Sequence, residues 1–230
     1  MEQNLSKKTR TESDLIGSRE VPESALYGVQ TLRGIENFRI SKFHLNEYPL
    51  FIQALAITKM GAAVANRELD LLTEEQADAI LKACKEILEG KHHDQFPVDM
   101  IQGGAGTTTN MNANEVIANR ALELMGHQRG EYQYCSPNDH VNRSQSTNDA
   151  YPTAIHIGLY YTHLKLVKHF EVLIESFRKK ATEFAHVIKM GRTQLEDAVP
   201  MTLGQTFNGF ASILRHEVKN LDFAAQDFLT

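Results

Sequence analysis

Residues 151–184, YPTAIHIGLYYTHLKLVKHFEVLIESFRKKATEF, are the stretch of sequence that decides the fold. Apolar side chains recur in it at spacings of three, four or seven residues, as on one face of a helix: Ile155, Leu159, Leu166, Phe170, Leu173, Phe177, Ala181 and Phe184. A helix of about 35 residues is roughly 50 Å long at about 1.5 Å per residue, well above the globular average. Such a helix needs long neighbours, so this stretch predicts part of an extended helical bundle.

A second long helix is predicted from Leu203 onward. Its apolar stripe reaches almost to the last residue, Thr230, without a glycine, a proline or a cap: Phe207, Phe210, Leu214, Val218, Leu221, Ala224 and Phe228. Two long helices cannot cover both of their apolar faces. We therefore expect the chain to be truncated relative to a working protein, or to need other copies to complete its core.

The residues before the long helices predict a smaller helical domain. Helical periodicity runs from Pro49 to about Leu69, and Thr73 with Gln76 forms a capping-box pattern before a helix that ends at Gly90. Another helix is expected to end near Gly126, whereas residues 21–40 predict loops with short strands. The predicted fold class is mainly α, with an N-terminal helical domain at residues 1–147 and the start of a central long-helix bundle at residues 148–230.

Composition argues against nucleic acid or a membrane as the main partner. The net charge is -5, and no run is rich in lysine or arginine, which argues against nucleic acid and against an anionic membrane surface. The apolar segment at residues 51–65 is interrupted by Gln53, Thr58 and Lys59, so it predicts a buried helix and not a membrane span.

The start of the chain and its cysteines point to the cytoplasm. Residues 1–14 are polar and contain no signal-peptide core, so no export is expected. The two cysteines, Cys84 and Cys135, lack metal-type spacing, and Cys84 lies on the apolar face of a predicted helix. A buried, reduced thiol in a cytoplasmic protein is the expected arrangement.

The polar run QGGAGTTTNMN at residues 102–112 is the first candidate ligand site. Its glycines allow close approach of the backbone to an anion, and its threonines precede a helix whose first N–H groups have no partner. The threonines Thr107, Thr108 and Thr109 also suit a plain helix cap, so both interpretations stay open. The run lacks the spacing of a phosphate-binding loop or of a dinucleotide fingerprint, which argues against a nucleotide.

Two further segments carry candidate binding residues. Ser146, Thr147 and Asn148 precede the long helix, where Pro152 near the first turn is tolerated, and they have the same cap-or-ligand ambiguity. His140 lies in the loop before them, where it either packs or supports the site. The third segment, residues 191–200, predicts a loop that brings Thr193 and Gln194 to one end of the bundle.

Three motifs then reveal a resemblance to a known superfamily. GGAGTTTNMNANEVIANR at 103–120, PNDHVNRSQSTND at 137–149 and GRTQLEDAVPMTLGQ at 191–205 resemble the fumarase/aspartase superfamily, from about Glu20 through the last residues. GEYQY at 130–134 and STNDAYPT at 146–153 are more similar to its aspartate ammonia-lyases than to its fumarases. Gln194 stands where many members have histidine, which also favours the ammonia-lyases.

The resemblance implies a homotetramer with active sites assembled from three subunits. By motif position, Thr107, Ser146, Thr147 and Asn148 would bind substrate from one subunit, and Thr193 with Gln194 from a second. The third contribution would be a later loop of the form Gly-Ser-Ser-x-Met-Pro, whose serine is the proton-abstracting base. These 230 residues contain no such loop, so the chain alone is expected to be inactive.

The implied reaction is the reversible anti-elimination of ammonia from L-aspartate to give fumarate. It would use no metal and no organic cofactor, and the sequence shows no ligand cluster for one. Two alternatives stay open. The same residues suit fumarate hydration, and a superfamily scaffold can also persist as a structural or assembly fragment without activity.

Overall fold

The computed structural model describes residues 8–229 and is mainly helical, as predicted. The six α-helices within those residues are α1 Val29–Asn37, α2 Pro49–Glu68, α3 Glu74–Leu88, α4 Thr107–Leu124, α5 Thr147–Glu183 and α6 Leu203–Ala225. The strands β1 Thr9–Asp14 and β2 Gly17–Pro22 form one antiparallel hairpin, and β3 Ile188–Thr193 and β4 Glu196–Thr202 form another. None of the helices in the described part combines the length and apolar character that crossing a membrane requires.

The chain divides into two compact units inside α5, the first ending at Gly158 and the second beginning at Leu159. The domain boundary predicted between residues 147 and 148 falls at the first turn of this helix and stays a prediction.

Helix α4 is the centre of the first unit. It is buried without interruption from Thr109 to Asn119, and α1, α2 and α3 pack around it. The largest buried apolar side chains of this core include Ile52, Leu55, Ile80, Ile87, Ile117 and Leu122. Each contributes about 1.5–3 kcal/mol of transfer free energy when removed from water, so α4 is held firmly where it enters the candidate site.

Local sequence signals place α3 as expected. The N–H of Gln76 donates to Thr73 Oγ1 and the N–H of Thr73 donates to Gln76 Oε1, both at 3.2 Å. This capping box contributes about 1 kcal/mol to the helix. Cys84 lies on the buried face of α3, where burial raises the pKa of its thiol to about 12. The prediction of a buried thiol is confirmed, and the thiol is unreactive at neutral pH.

The prediction of loops and short strands at residues 21–40 is wrong for α1. This helix begins after Gly28 without a side-chain cap from its own sequence. The carboxylate of Glu115 instead accepts hydrogen bonds from the N–H groups of Gly28, Gln30 and Thr31 at 2.8–3.0 Å. Because this cap comes from a residue far away in the chain, local sequence patterns could not reveal it.

The second unit contains α5 from Leu159 onward, the hairpin β3–β4 and α6. The ring of Phe177 lies 6.1 Å from that of Phe207 and 5.6 Å from that of Phe210, centroid to centroid, which joins α5 to α6. The predicted loop at residues 191–200 is in fact part of an antiparallel hairpin. Its two turn residues, Gln194 and Leu195, have φ values of 50° and 66°, as two-residue hairpin turns require.

Candidate active site

The glycine run before α4 turns sharply through three consecutive left-handed residues. Gly104, Ala105 and Gly106 have φ values of 73°, 49° and 90°. The left-handed region costs a residue with a Cβ about 1–3 kcal/mol, and such strain clusters at functional sites. Ala105 therefore occupies a conformation that the surrounding structure must impose.

The threonines at the start of α4 do not share one role. Thr107 is exposed and its hydroxyl donates to the carbonyl of Gly104 at 2.6 Å. Thr109 is buried and exchanges two hydrogen bonds of 2.8 Å with the side chain of Gln102. Gln102 thus caps the third N–H of the helix, and the residue at the N-cap position, Gly106, has no side chain to do so. Thr107 is left at the surface of the run.

The three polar residues at the start of α5 have three different roles: Ser146 caps the helix, Thr147 contacts α4, and the side chain of Asn148 is exposed. Ser146 Oγ accepts from the N–H of Asn148, and the N–H of Ser146 donates to Asp149 Oδ2, both at 3.1 Å. The capping interpretation therefore holds for Ser146. Thr147 Oγ1 accepts instead from Asn110 Nδ2 at 3.1 Å. The side-chain amide of Asn148 is exposed and makes no hydrogen bond within residues 8–229.

The two polar runs meet at one cavity in the first unit. Its volume is about 430 Å³, and its lining residues are Met100, Gln102, Ala105, Gly106, Asn148, Tyr151, Pro152 and Ile155. A Cβ atom at Gly106 would overlap the ring of Tyr151, so only glycine permits this approach of α4 to α5. No lining side chain carries a charge. Amide groups, backbone groups and the phenolic hydroxyl of Tyr151 are the polar groups of the lining residues.

Sequence reasoning missed a buried lysine that is linked through Asn110 to Thr147, the first residue of α5. Lys59 is fully buried, and its Nζ donates to Asn110 Oδ1, Asn142 Oδ1 and Gln145 Oε1 at 2.7, 2.9 and 3.0 Å. The asparagines of α4, at positions where a buried helix ordinarily has apolar residues, indicate a buried polar cluster but do not identify Lys59 as part of it.

His140 serves the local turn before α5. Its Nδ1 accepts from the N–H of Ser136 at 2.7 Å, and burial lowers its pKa. Ser136 in turn accepts from the N–H groups of Asn138 and Asp139. The packing interpretation of His140 accounts for these contacts. In the described part of the chain, His, Cys, Asp and Glu residues form no group suited to hold a metal ion.

Thr193 and Gln194 lie in the second unit, at the tip of the hairpin β3–β4. Both side chains are exposed. Thr193 ends β3, and Gln194 occupies the first turn position with a left-handed φ of 50°. The flanking pair Arg192 and Asp197, 3.3 Å apart, closes the strands behind the turn. The tip thus presents a hydroxyl and an amide to solvent.

Comparisons with known proteins agree with the motifs. Aspartate ammonia-lyase of Escherichia coli (strain K12) is 56% identical over 223 residues, covering 96% of this chain and 47% of that protein. Aspartate ammonia-lyase of Pseudomonas fluorescens is 57% identical over 221 residues, covering 96% of this chain and 46% of that protein. The chain spans about half the length of these curated relatives.

Solved structures show the same relationship. A Brucella melitensis protein named fumarate lyase:delta crystallin superposes with a TM-score of 0.93 at 51% identity, covering 96% of this chain and 51% of that one. A class II fumarase from Schistosoma mansoni superposes with a TM-score of 0.83 at 38% identity, covering 92% of this chain and 44% of that one. A family model described as lyase matches residues 17–230. The resemblance seen in the three motifs is therefore confirmed, and the chain belongs to this lyase family.

Proposed function

We propose that the full-length protein, meaning this chain together with the second half that its relatives possess, is an aspartate ammonia-lyase. It would eliminate ammonia from L-aspartate to give fumarate, reversibly. The observation that carries the proposal is the uncharged cavity where the glycine run meets the start of α5, with the unpaired amide of Asn148 at its edge. The curated relatives of this chain that are 56–57% identical to it carry the name of that activity.

The chemistry favours such a site. Removing a proton from the carbon beside a carboxylate places a second negative charge on that carboxyl group. Fixed hydroxyl, amide and backbone N–H donors stabilise this charge without reorganising, and the loss of one such donor typically lowers the rate by about 10²- to 10³-fold. Each helix N-terminus adds roughly 0.3–1 kcal/mol for a nearby anion at an exposed site.

The chain already binds one carboxylate in this manner. Glu115 is held at the start of α1 by three backbone N–H groups and by the hydroxyl of Thr31, which donates at 2.6 Å. No arginine or lysine takes part in these four bonds. Burial raises the pKa of Glu115, and the four hydrogen bonds oppose that shift by favouring the charged form. The starts of α4 and α5 contain hydroxyl and backbone N–H groups of the same kinds.

The remaining parts of the proposal concern assembly and location. We place Thr107, Ser146, Thr147 and Asn148 at one side of the substrate, and Thr193 with Gln194 of another subunit of a homotetramer at the other side. Ser146 would contribute through its position at the helix start, because its oxygen already caps the helix. A cytoplasmic location is supported by two free cysteines that are both buried.

The test uses the full-length protein and the ammonia released from L-aspartate. Thr147→Ala and Asn148→Ala are each expected to lower kcat/KM by at least about 10-fold, the scale of one lost donor. Ser13→Ala removes an exposed hydroxyl of β1 and is the matched control, with kcat/KM unchanged. Wild-type kinetics in both site variants would overturn the assignment of these residues.

Fumarate hydration is the second candidate, because the class II fumarase shares this fold at 38% identity. The same donors would stabilise the same type of dianion. Measuring malate formation from fumarate beside ammonia addition to fumarate separates the two activities. Ammonia-dependent turnover that exceeds malate formation supports the ammonia-lyase, and the opposite ratio supports the hydratase.

A further inference from the structure

Lys59 Nζ is buried and forms no ion pair within residues 8–229. All three N–H donors of its ammonium are used, and all three acceptors are amide oxygens, of Asn110, Asn142 and Gln145. Burial lowers the pKa of Lys59 to about 7, because the water that would solvate the charge is excluded. The three oxygens replace that water and fix the end of the side chain in one place.

This lysine sets the orientation of the Asn110 amide. An ammonium group donates hydrogen bonds and cannot accept them. Asn110 must therefore turn its oxygen toward Lys59, at 2.7 Å, and its Nδ2 faces away. That Nδ2 donates to Thr147 Oγ1 and to Asn142 Oδ1, both at 3.1 Å. The polarity of this amide is thus decided by the charge behind it.

The orientation of the Asn110 amide also determines in which direction the hydroxyl of Thr147 can donate. A hydroxyl has one donor and two acceptor positions. Thr147 Oγ1 already accepts from Asn110 Nδ2, so the hydroxyl cannot donate its own proton to that amide nitrogen. The proton is therefore free to donate to an anion at the start of α5. A reversed Asn110 amide would present its oxygen to Thr147 and capture that proton.

The same lysine also restrains the loop that enters α5. Asn142 and Gln145 accept from Lys59, while Asn142 Nδ2 donates to the backbone oxygen of Gln145 at 2.9 Å. Between them, Ser144 is left-handed, with a φ of 59°. The lysine is thus bonded to two side chains of the loop and, through Asn110, to the first residue of α5.

We propose that Lys59 is a positioning residue of the reaction: through Asn110 it directs the hydroxyl of Thr147 so that this hydroxyl donates to a substrate carboxylate. The inference rests on the proposed function. Lys59 is fully buried and all three of its N–H donors are used within the protein, so it acts through Asn110 and not by touching the substrate.

The experiment is a double-mutant cycle in the full-length protein. Lys59→Met keeps much of the length and removes the charge and the donors. Lys82→Met, at an exposed lysine of α3, is the matched control. Each is combined with Thr147→Ala, and kcat, KM and the inhibition constant of succinate are measured, together with the melting temperature.

The proposal predicts that Lys59→Met lowers kcat/KM by about 10-fold or more and weakens succinate inhibition. Adding Thr147→Ala to Lys59→Met should then cost less than about 3-fold, because residues of one hydrogen-bond network are not additive. On the Lys82→Met background, Thr147→Ala should keep its full effect. A purely structural lysine would lower the melting temperature and leave the succinate constant unchanged.

Three results would overturn the proposal. Full additivity of Lys59→Met and Thr147→Ala would show that the lysine acts elsewhere and would leave the proposed function intact. Unchanged succinate inhibition in Lys59→Met would do the same. Wild-type kinetics in Thr147→Ala alone would overturn the proposed role of Thr147 as well. If Lys59→Met does not fold, Asn110→Ala replaces it in the same cycle and must show the same coupling to Thr147→Ala.

Discussion

Gly106, at the start of α4, lies against the ring of Tyr151 in the second turn of α5, and a methyl group at Gly106 would overlap that ring. This contact joins the two polar runs that the sequence places about forty residues apart. Tyr151 also packs edge-on against Phe51 of α2, with ring centroids 5.8 Å apart. The ring therefore cannot retreat without disturbing the core of the first unit.

The Gly106 contact gives the first prediction. Gly106→Ala should lower stability by about 2–5 kcal/mol, from left-handed strain plus overpacking, and should reduce activity of the full-length protein more than 10-fold. Gly126→Ala is the control, since Gly126 has a similar φ of 82° but nothing within 4 Å of an added Cβ. Equal melting temperatures in the two variants would contradict the argument.

Glu115→Gln tests the internal carboxylate site. Glu115 Oε2 accepts from the backbone N–H groups of Gly28 and Thr31, and Oε1 accepts from that of Gln30. The oxygen of a glutamine side chain accepts but its NH2 cannot, so at least one N–H loses its partner, and we expect a loss of about 1–3 kcal/mol. Thermal unfolding measures it. Glu68→Gln, at an exposed residue of α2, should change little; an equal loss there would refute the explanation.

The ion pair of Glu86 predicts a pH dependence. The guanidinium of Arg120 donates to both carboxylate oxygens at 2.6 and 2.8 Å, and with His92 it lowers the pKa of Glu86 to about 2. Because the pKa of Glu86 is lower in the folded than in the unfolded chain, the unfolded chain binds more protons as the pH falls. The stabilisation that this ion pair gives to the folded state is therefore complete above about pH 4.5 and is lost toward pH 2.

Melting temperatures across that range provide the measurement for Glu86. The difference between wild type and Glu86→Gln should be largest near pH 6, corresponding to about 1–3 kcal/mol, and should shrink steadily from about pH 4.5 to pH 2. Glu75→Gln, at an exposed residue of α3, should show no such convergence. A difference for Glu86→Gln that stays constant with pH would show that packing, and not the ion pair, is responsible.

Assembly can be tested on α6. Phe223 and Ile213 of this helix are 81% and 61% exposed in the single chain, and exposed apolar surface of this kind favours association. If the full-length protein forms the proposed homotetramer, Phe223→Asp should lower the mass measured by light scattering after size-exclusion chromatography. Leu69→Asp, at a residue 66% exposed in the first unit, should not. An unchanged mass in Phe223→Asp would argue against this face as an interface.

Much of the helical part could be predicted because its signals are local. The Thr73 capping box and the apolar period of residues 151–184 are readable from neighbours in the chain, and α3 and α5 follow them closely. Helix α1 was missed because its first turn is capped by Glu115, far away in sequence. The loop at residues 191–200 was predicted, but the β3–β4 hairpin was not, because Gln194 and Leu195 replace the asparagine and glycine that ordinarily mark two-residue hairpin turns.

The location of the candidate site could be predicted from the sequence, whereas the buried residues that hold its side chains in place could not. The runs around Thr107 and Thr147 are recognisable because glycines and hydroxyl residues precede helical periodicity. Lys59 gave no such signal, since a lone lysine in an apolar helix ordinarily reaches the surface along its flexible side chain. Its role becomes visible only when Asn110 and Gln145 are found around it.

The central claim is that uncharged donors at the starts of α4 and α5 hold a carboxylate of the substrate. The most direct measurement is a crystal structure of the full-length protein soaked with succinate, a dicarboxylate that cannot react. We predict one carboxylate within hydrogen-bond distance of Thr147 Oγ1 and of the Asn148 amide, beside the run at Thr107. Succinate bound elsewhere, with Thr147 and Asn148 making no contact to it, would contradict the claim.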